Sequence, residues 1–385
     1  MLPDRHAVAS ELHLRRALLF AALGYAYVAG VLLALAGVIF LLARFGLGVL
    51  AGYALAGIFV YTVFALLAWF APPEGRRVTR DECPELFRAI DRARGELRAP
   101  PVDGVFLTHD MNAAVMERPR FGVVGWNQRF LLVGLPLLHA LTADEVRAIL
   151  AHEFAHLSRQ HSRSLRLLAR AEGTWMFLEL VFAASWARLL FIPFFRWYTP
   201  RLEALTQQTR RAHELESDRL AARVAGAPAM GRALLRLALW NARLERVVLP
   251  SVFRRSLEKE EPGADDFARL LDALGELPGG EGTERLVRSA LRDRTLDNHS
   301  HPSLADRLEA LGVDAAEAGR GLAAGRGSAA ELLGTRAREL AAVVGAAWAE
   351  SAAPLWRRCH ADARIWTEEP VVWPSPEAVW AHARW

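Results

Sequence analysis

LLVGLPLLHALTADEVRAILAHEFAH, residues 131–156, passes from a short apolar strand into a capped helix that carries a His-Glu-x-x-His motif. The β-branched and aromatic run from Arg129 to Val133 predicts a strand. Thr142 with Glu145 three residues on is a capping box, in which each side chain takes a free backbone N–H at the helix start. Val146, Ile149, Leu150, Phe154 and Leu157 recur at helical spacing, with no Gly or Pro before Gly173, so a helix of about 25–30 residues is expected. His152 and His156 lie about 40° apart on one face, and both imidazoles can reach one zinc ion. Glu153, about 60° from His156, is close enough to act as general base on a water at that metal. Two surface histidines on a charged helix would give the same letters, but the apolar Ala148-Ile149-Leu150 before the motif argues against that.

A catalytic zinc needs a third protein ligand and one open position. The extended pattern with a further Gly and His fails, because Arg159 and Ser162 stand there. His161 lies about 140° from His156 on the same helix and points away. The segment RAHELESDRLAA, residues 211–222, puts Glu214 and Asp218 on one helix face. Glu214 can ligate zinc while Asp218 takes the outer N–H of a ligand histidine, with His152 the expected one. Glu216 is the competing ligand and points about 160° away from Glu214. Taken alone, the segment reads more readily as an ordinary Arg/Glu-rich solvated helix.

Outward from the motif, the chain has 385 residues, 52% hydrophobic and 23% charged, with mean hydropathy +0.12. That excludes disorder as its main state. Two cysteines, Cys83 and Cys359, exclude a disulfide scaffold and a four-cysteine zinc site, and read as free cytosolic thiols. The net charge of +4 comes from arginines interleaved with acids, which reads as solvated helix faces and not as a nucleic-acid surface. The apolar surplus is concentrated: no charge lies between Arg16 and Arg44, or between Arg44 and Glu74. Each run exceeds the roughly 20 residues that cross a bilayer. Arg5, Arg15 and Arg16 precede the first run, Arg76, Arg77 and Arg80 follow the second, and only Arg44 lies between. Both ends of the pair should therefore be cytoplasmic.

A third apolar stretch, residues 175–198, is interrupted by Glu179, Arg188 and Pro193, and is expected to rest in the membrane interface, pack on the body or form a third span. Val102 to Thr108 predicts a second strand, and Asp110, Asn112, Pro119, Gly122 and Gly125 punctuate the segment between the two strands. Six of the 12 tryptophans fall in the last 38 residues, which suggests packing of a small helical appendage, or else membrane anchoring or docking.

These residues together resemble the HtpX-like and CAAX-prenyl-endopeptidase-type membrane zinc metallopeptidases, the gluzincins with HExxH followed by ExxxD. The resemblance covers about residues 15–311. It rests on His152-Glu153-Phe154-Ala155-His156, Glu214 with Asp218, Asn112-Ala113, the 131–156 run, Ser300-His301-Pro302 with Arg307, and the two N-terminal spans. It implies that His152, His156 and Glu214 hold one Zn2+ per chain, that Glu153 is the base and that Asp218 supports a ligand. It further implies that His301 and Arg307 stabilise the oxyanion or anchor substrate backbone. For His301 a helix-start turn before Pro302 is the equal alternative. The strand leading to Asn112 and Ala113 would bind an extended substrate by backbone pairing. The chain departs from HtpX-like proteins in lacking two clear later spans, and it cannot build the seven-span chamber of the prenyl endopeptidases.

The expected architecture is α+β, mostly α: a cytoplasmic N-terminus (1–16), a transmembrane helical hairpin (17–73), a zincin-like protease domain with a small β-sheet (78–315) and a Trp-rich helical appendage (329–385). The expected function is a zinc endopeptidase acting on polypeptides at the cytoplasmic face of a bacterial-type inner membrane, in membrane-protein quality control. The other readings are a sensor-protease with one dedicated partner and a non-catalytic membrane scaffold. The expected partners are polypeptides and the lipid bilayer, with no nucleic acid.

Overall fold

The computed structural model describes residues 5–46, 48–67, 73–121, 124–159, 168, 171–175, 178–179, 182, 188–274, 281–292, 302–323 and 328–361. It is mostly helical with one four-stranded sheet. In chain order the strands are β1 (Arg76–Val78), β2 (Gly104–Thr108), β3 (Ala113–Phe121) and β4 (Val124–Gly134), arranged β1-β2-β4-β3. β2 pairs antiparallel with β1 and parallel with β4, from Gly104 opposite Phe130 to Thr108 opposite Gly134. β3 folds back antiparallel on β4, from Ala113 opposite Val133 to Phe121 opposite Val124.

The two strands expected from sequence are the central pair. The punctuated segment between them is itself largely a strand. β3 lies at the sheet margin, where one side of the backbone needs no partner, so Pro119 costs no ladder bond there. The pairing shifts register between Pro119 and Phe121. One expectation is corrected: the strand leading to Asn112 is β2, whose two edges are already taken by β1 and β4. The outer strand follows Asn112 and begins at Ala113.

The helices are α1 (Arg5–Phe45), α2 (Val49–Leu67), α3 (Pro84–Glu96), α4 (Leu135–Ala140), α5 (Ala143–Arg159), α6 (Arg188–Ala225), α7 (Ala227–Arg243), α8 (Ala264–Ala273), α9 (Glu281–Ala290), α10 (Leu304–Leu311), α11 (Ala315–Ala323) and α12 (Ala337–Ala361). α5 starts on the expected reciprocal cap: Thr142 N–H donates to Glu145 at 2.9 Å, and Glu145 N–H to Thr142 Oγ1 at 3.4 Å. Glu145 is fully buried and also meets Arg236 of α7 at 2.9 Å, so the cap ties two helices together. Leu86 and Ile90 of α3, Leu131 and Val133 of β4, and Leu150 and Phe154 of α5 share one core.

That core extends into the C-terminal helix. Trp348 and Trp356 of α12 are buried with Phe253 and with Phe267 of α8. Trp356 Nε1 donates to the Lys259 carbonyl at 2.9 Å. Lys259, the chain's lone lysine, lies 2.6 Å from the buried Asp266. Residues 329–361 thus pack into the same body as α5. Trp366, Trp373, Trp380 and Trp385 lie outside the described residues.

The N-terminal part has its own apolar cluster. Ala17, Ala21 and Val28 of α1 bury against Trp175, Leu178 and Phe182 and against Phe191, Phe195 and Tyr198 of α6. Gly24 permits this approach, since a Cβ there would stand 2.6 Å from the Trp175 ring. Arg15–Phe45 is long and apolar enough to cross a membrane, and Ala51–Phe64 is a shorter apolar helix. Leu19, Leu33, Phe40 and Phe45 of α1 are exposed, an apolar face that water does not favour.

The stretch 175–198 and the later helix were expected as separate pieces. From Arg188 to Ala225 they are one helix of 38 residues, about 57 Å long. Pro193 and Pro200 sit inside it. Its first half packs on α1 and its second half on α5.

Candidate metal centre

Two packed helices build the site. α5 presents His152 and His156 one turn apart, and α6 presents Glu214, Ser217 and Asp218 within about one turn. His152 Nε2 lies 3.0 Å from His156 Nε2, 3.6 Å from Glu214 Oε2, and His156 Nε2 lies 3.4 Å from Glu214 Oε1. One ligand atom from each of the three residues falls within 4.8 Å of the others. His152 and Glu214 are buried, and His156 keeps some solvent contact.

The outer nitrogens of both rings are also addressed. His152 Nδ1 is 2.8 Å from Asp218 Oδ1, and His156 Nδ1 is 3.3 Å from Ser217 Oγ. With each Nδ1–H given outward, both Nε2 lone pairs point inward at the Glu214 oxygens. Four electron-rich atoms then converge with no proton among them, which is repulsive unless a cation sits between them. Two imidazoles and one carboxylate are the donor set of a catalytic zinc site with a position left open, so these residues fit that ion.

Asp218 is fully buried and would on that account resist ionisation. Hydrogen bonds from Arg307 and from His152 outweigh the burial and hold its carboxyl well below the usual range. Arg307 donates to both Asp218 oxygens at 2.7 Å and comes within 3.9 Å of Glu214. Burial pushes the Glu153 carboxyl up to about 7, against the pull of His152 and of the Val115 N–H, which donates to it at 3.3 Å. Burial likewise holds His156 down to about 4, so its ring is neutral at pH 7, the form that can ligate a metal.

The structure therefore brings His152, Glu153, His156, Glu214, Asp218 and Arg307 into one place. Ala113 opens β3 two residues before Val115, and Asn112 is exposed beside it, its carbonyl taking the Gly134 N–H at 2.8 Å. His301 lies outside the described residues. Ser217 went unread in the sequence, where a serine inside ELESD carries no signal of its own; its helical position beside Asp218 is the only cue.

Residues 111–313, more than half of the chain, match the profile described as peptidase family M48. Protease HtpX of Psychrobacter sp. (strain PRwf-1) is 24% identical over 211 residues, which cover 50% of this chain and 60% of that protein. No solved structure matches. The matched span opens just before β3 and closes just after α10, so it contains every residue that converges on the two histidines. The HExxH helix, the Glu214 helix and the Arg307 helix thus all lie within the matched span, and the chain belongs to peptidase family M48.

Proposed function

We propose that this chain is a membrane-bound, zinc-dependent endopeptidase that hydrolyses polypeptides at the cytoplasmic membrane face. The observation that carries the reading is the convergence of His152, His156 and Glu214 with the Glu153 carboxyl next to them. In this reading His152, His156 and Glu214 hold one Zn2+. When bound, such an ion supplies a Lewis acid and an acidified water.

The chain's own residues do the rest. Glu153, poised near neutrality by burial, accepts a proton from the attacking water and delivers it to the leaving amine nitrogen. Its other link, to the Val115 N–H, sets the base against the outer strand β3. A substrate lying along β3 would present a carbonyl beside Glu153, with Asn112 and Ala113 at the start of that strand. Asp218 orients His152, and Arg307 acts through Asp218. His301 is assigned to the oxyanion or the substrate backbone by family resemblance alone.

The remaining organisation follows from the helices. α1 and α2 form a transmembrane hairpin with cytoplasmic ends, the first part of α6 lies against it at the membrane, and residues 78–315 form the protease domain. Packing of α1 on α6 supports this, because α6 then runs from the bilayer to Glu214. The setting is a bacterial-type inner membrane and the task membrane-protein quality control. Purified protein should cleave a casein-like substrate, lose that activity to a chelator and recover it with zinc. Chelator-insensitive cleavage, or none with zinc present, overturns the reading.

A further inference from the structure

Each ring of the histidine pair has an outer partner, and the two partners differ. Asp218, ionised and braced by Arg307, faces His152. Ser217, neutral and fully buried, faces His156 Nδ1 at 3.3 Å. On α6 they straddle the direction of Glu214, about 60° to one side and about 40° to the other. One turn of helix thus carries a ligand and a support for each of the two rings across from it.

We propose that Ser217 is a positioning residue that fixes the tautomer and the ring plane of His156, an inference that rests on the zinc-peptidase reading above. A ligating imidazole must keep one nitrogen bare and give the other nitrogen's proton away. His156 is the ring in greater need: its side chain is 30% exposed, against 8% for His152. A rotating ring at the open side of the site would present Nδ1 or Nε2 indifferently. The Ser217 hydroxyl accepts the Nδ1–H and leaves Nε2 facing Glu214. Ser suits the task where a second carboxylate would not, because Asp218 and Glu214 already place two negative charges there. A hydroxyl also keeps a proton it can give to a helix carbonyl, so nothing is left unsatisfied. Inside a helix Ala would be the better former, so the hydroxyl is there at a cost to local helix propensity.

The test uses the full chain in detergent micelles, with zinc affinity read by competition against a chromophoric chelator. Ser217→Ala should weaken zinc binding about tenfold or more, and Ser217→Thr should recover most of it. The melting temperature of metal-free Ser217→Ala should stay near that of the wild type, which a merely structural serine would not allow. Nitrogen-15 spectra of the metal-free wild type should show His156 protonated on Nδ1 and bare on Nε2. This measurement needs no variant and decides the matter even if Ser217→Ala fails to fold. A Ser217→Ala affinity within about twofold of the wild type, or a His156 proton on Nε2, overturns the role of Ser217 while leaving the zinc-peptidase reading intact. A wild type that takes up no zinc overturns both.

Discussion

Arg307 grips Asp218 with two nitrogens of its guanidinium, Nε on Oδ2 and Nη2 on Oδ1, each at 2.7 Å. Asp218 is wholly buried, and its Oδ1 is also 2.8 Å from His152 Nδ1. The arginine on α10 thereby braces a histidine on α5 through a carboxylate on α6, and three helices are locked at one atom pair. Removing the guanidinium leaves a buried carboxylate uncompensated. Arg307→Ala should cost about 3–5 kcal/mol of stability. Arg307→Lys keeps the charge but not the two-pronged geometry, so it should fall between. Chemical denaturation of the two variants checks the order, and equal stability of Arg307→Ala and wild type would refute it.

Glu153→Gln removes the proton acceptor and leaves the two histidines and Glu214 in place. Peptide cleavage should drop by about 10²–10⁴-fold while zinc content stays at one per chain. Metal analysis alongside a peptide assay separates these, and near-normal turnover in the variant would exclude Glu153 as the base.

Glu214 lies 3.4 Å from His156 and 3.6 Å from His152, while Glu216 pairs with Arg219 on its own helix at 3.9 Å. Glu214→Ala should strip zinc from the protein, and Glu216→Ala should leave occupancy unchanged. Metal-to-protein ratios after dialysis give the answer, and the reverse pattern would move the ligand to Glu216.

Gly134 ends β4 where the chain before β3 crosses close by. A Cβ on it would stand 1.8 Å from the Asp110 carbonyl oxygen and 2.8 Å from that of Asn112. Both obstacles are backbone, so the strand start must move. Gly134→Ala should destabilise by about 1–3 kcal/mol or more and lower cleavage further by shifting Val115 relative to Glu153. Thermal melting with a peptide assay tests it; an unchanged melting temperature would mean the loop gives way freely.

His139 of α4 is held below its ordinary value by burial, with Asp272 opposing, and burial lowers His109 as well. Both stay neutral in the fold while the unfolded chain takes up protons near the ordinary value of about 6.5. The unfolded state therefore binds more protons there, and stability should be lost as pH falls from about 6.5 toward the folded values. In the metal-free protein His156, down at about 4, adds to the same trend. Glu153, raised to about 7 by burial, takes up a proton in the fold and works the other way. The check is therefore a difference: from pH 7.5 to 5 the melting temperature of His139→Gln should gain on that of the wild type, and parallel curves would refute the role of His139.

Several elements were legible because they are local. The Thr142–Glu145 cap and the face shared by His152 and His156 depend only on residues within a helical turn or two. The strand over 104–108 and the 129–133 part of β4 showed in their β-branched and aromatic residues, while the start of β4 at Val124 did not. β3 did not show, because Pro119 and the flanking Asn and Gly residues signal turns in a strand whose outer edge has no ladder to complete. The join of residues 188–225 into one helix was hidden by Pro193 and Pro200, which usually end helices. Its burial against α1 compensates for the bonds those prolines cannot make.

The sequence by itself determined that two histidines and a glutamate share one side of a capped helix, that a carboxylate pair recurs on a later one, and that residues 17–73 are apolar with Arg44 their one charge. Those are consequences of a 3.6-residue period and of composition. Only the tertiary structure decided that Glu214 meets both histidines, that Ser217 and Asp218 divide the outer nitrogens between them, and that Arg307 closes on Asp218 from 89 positions away. Such choices are set by which helices pack together, and that depends on a core spread from β4 to α12 whose contacts no local period encodes.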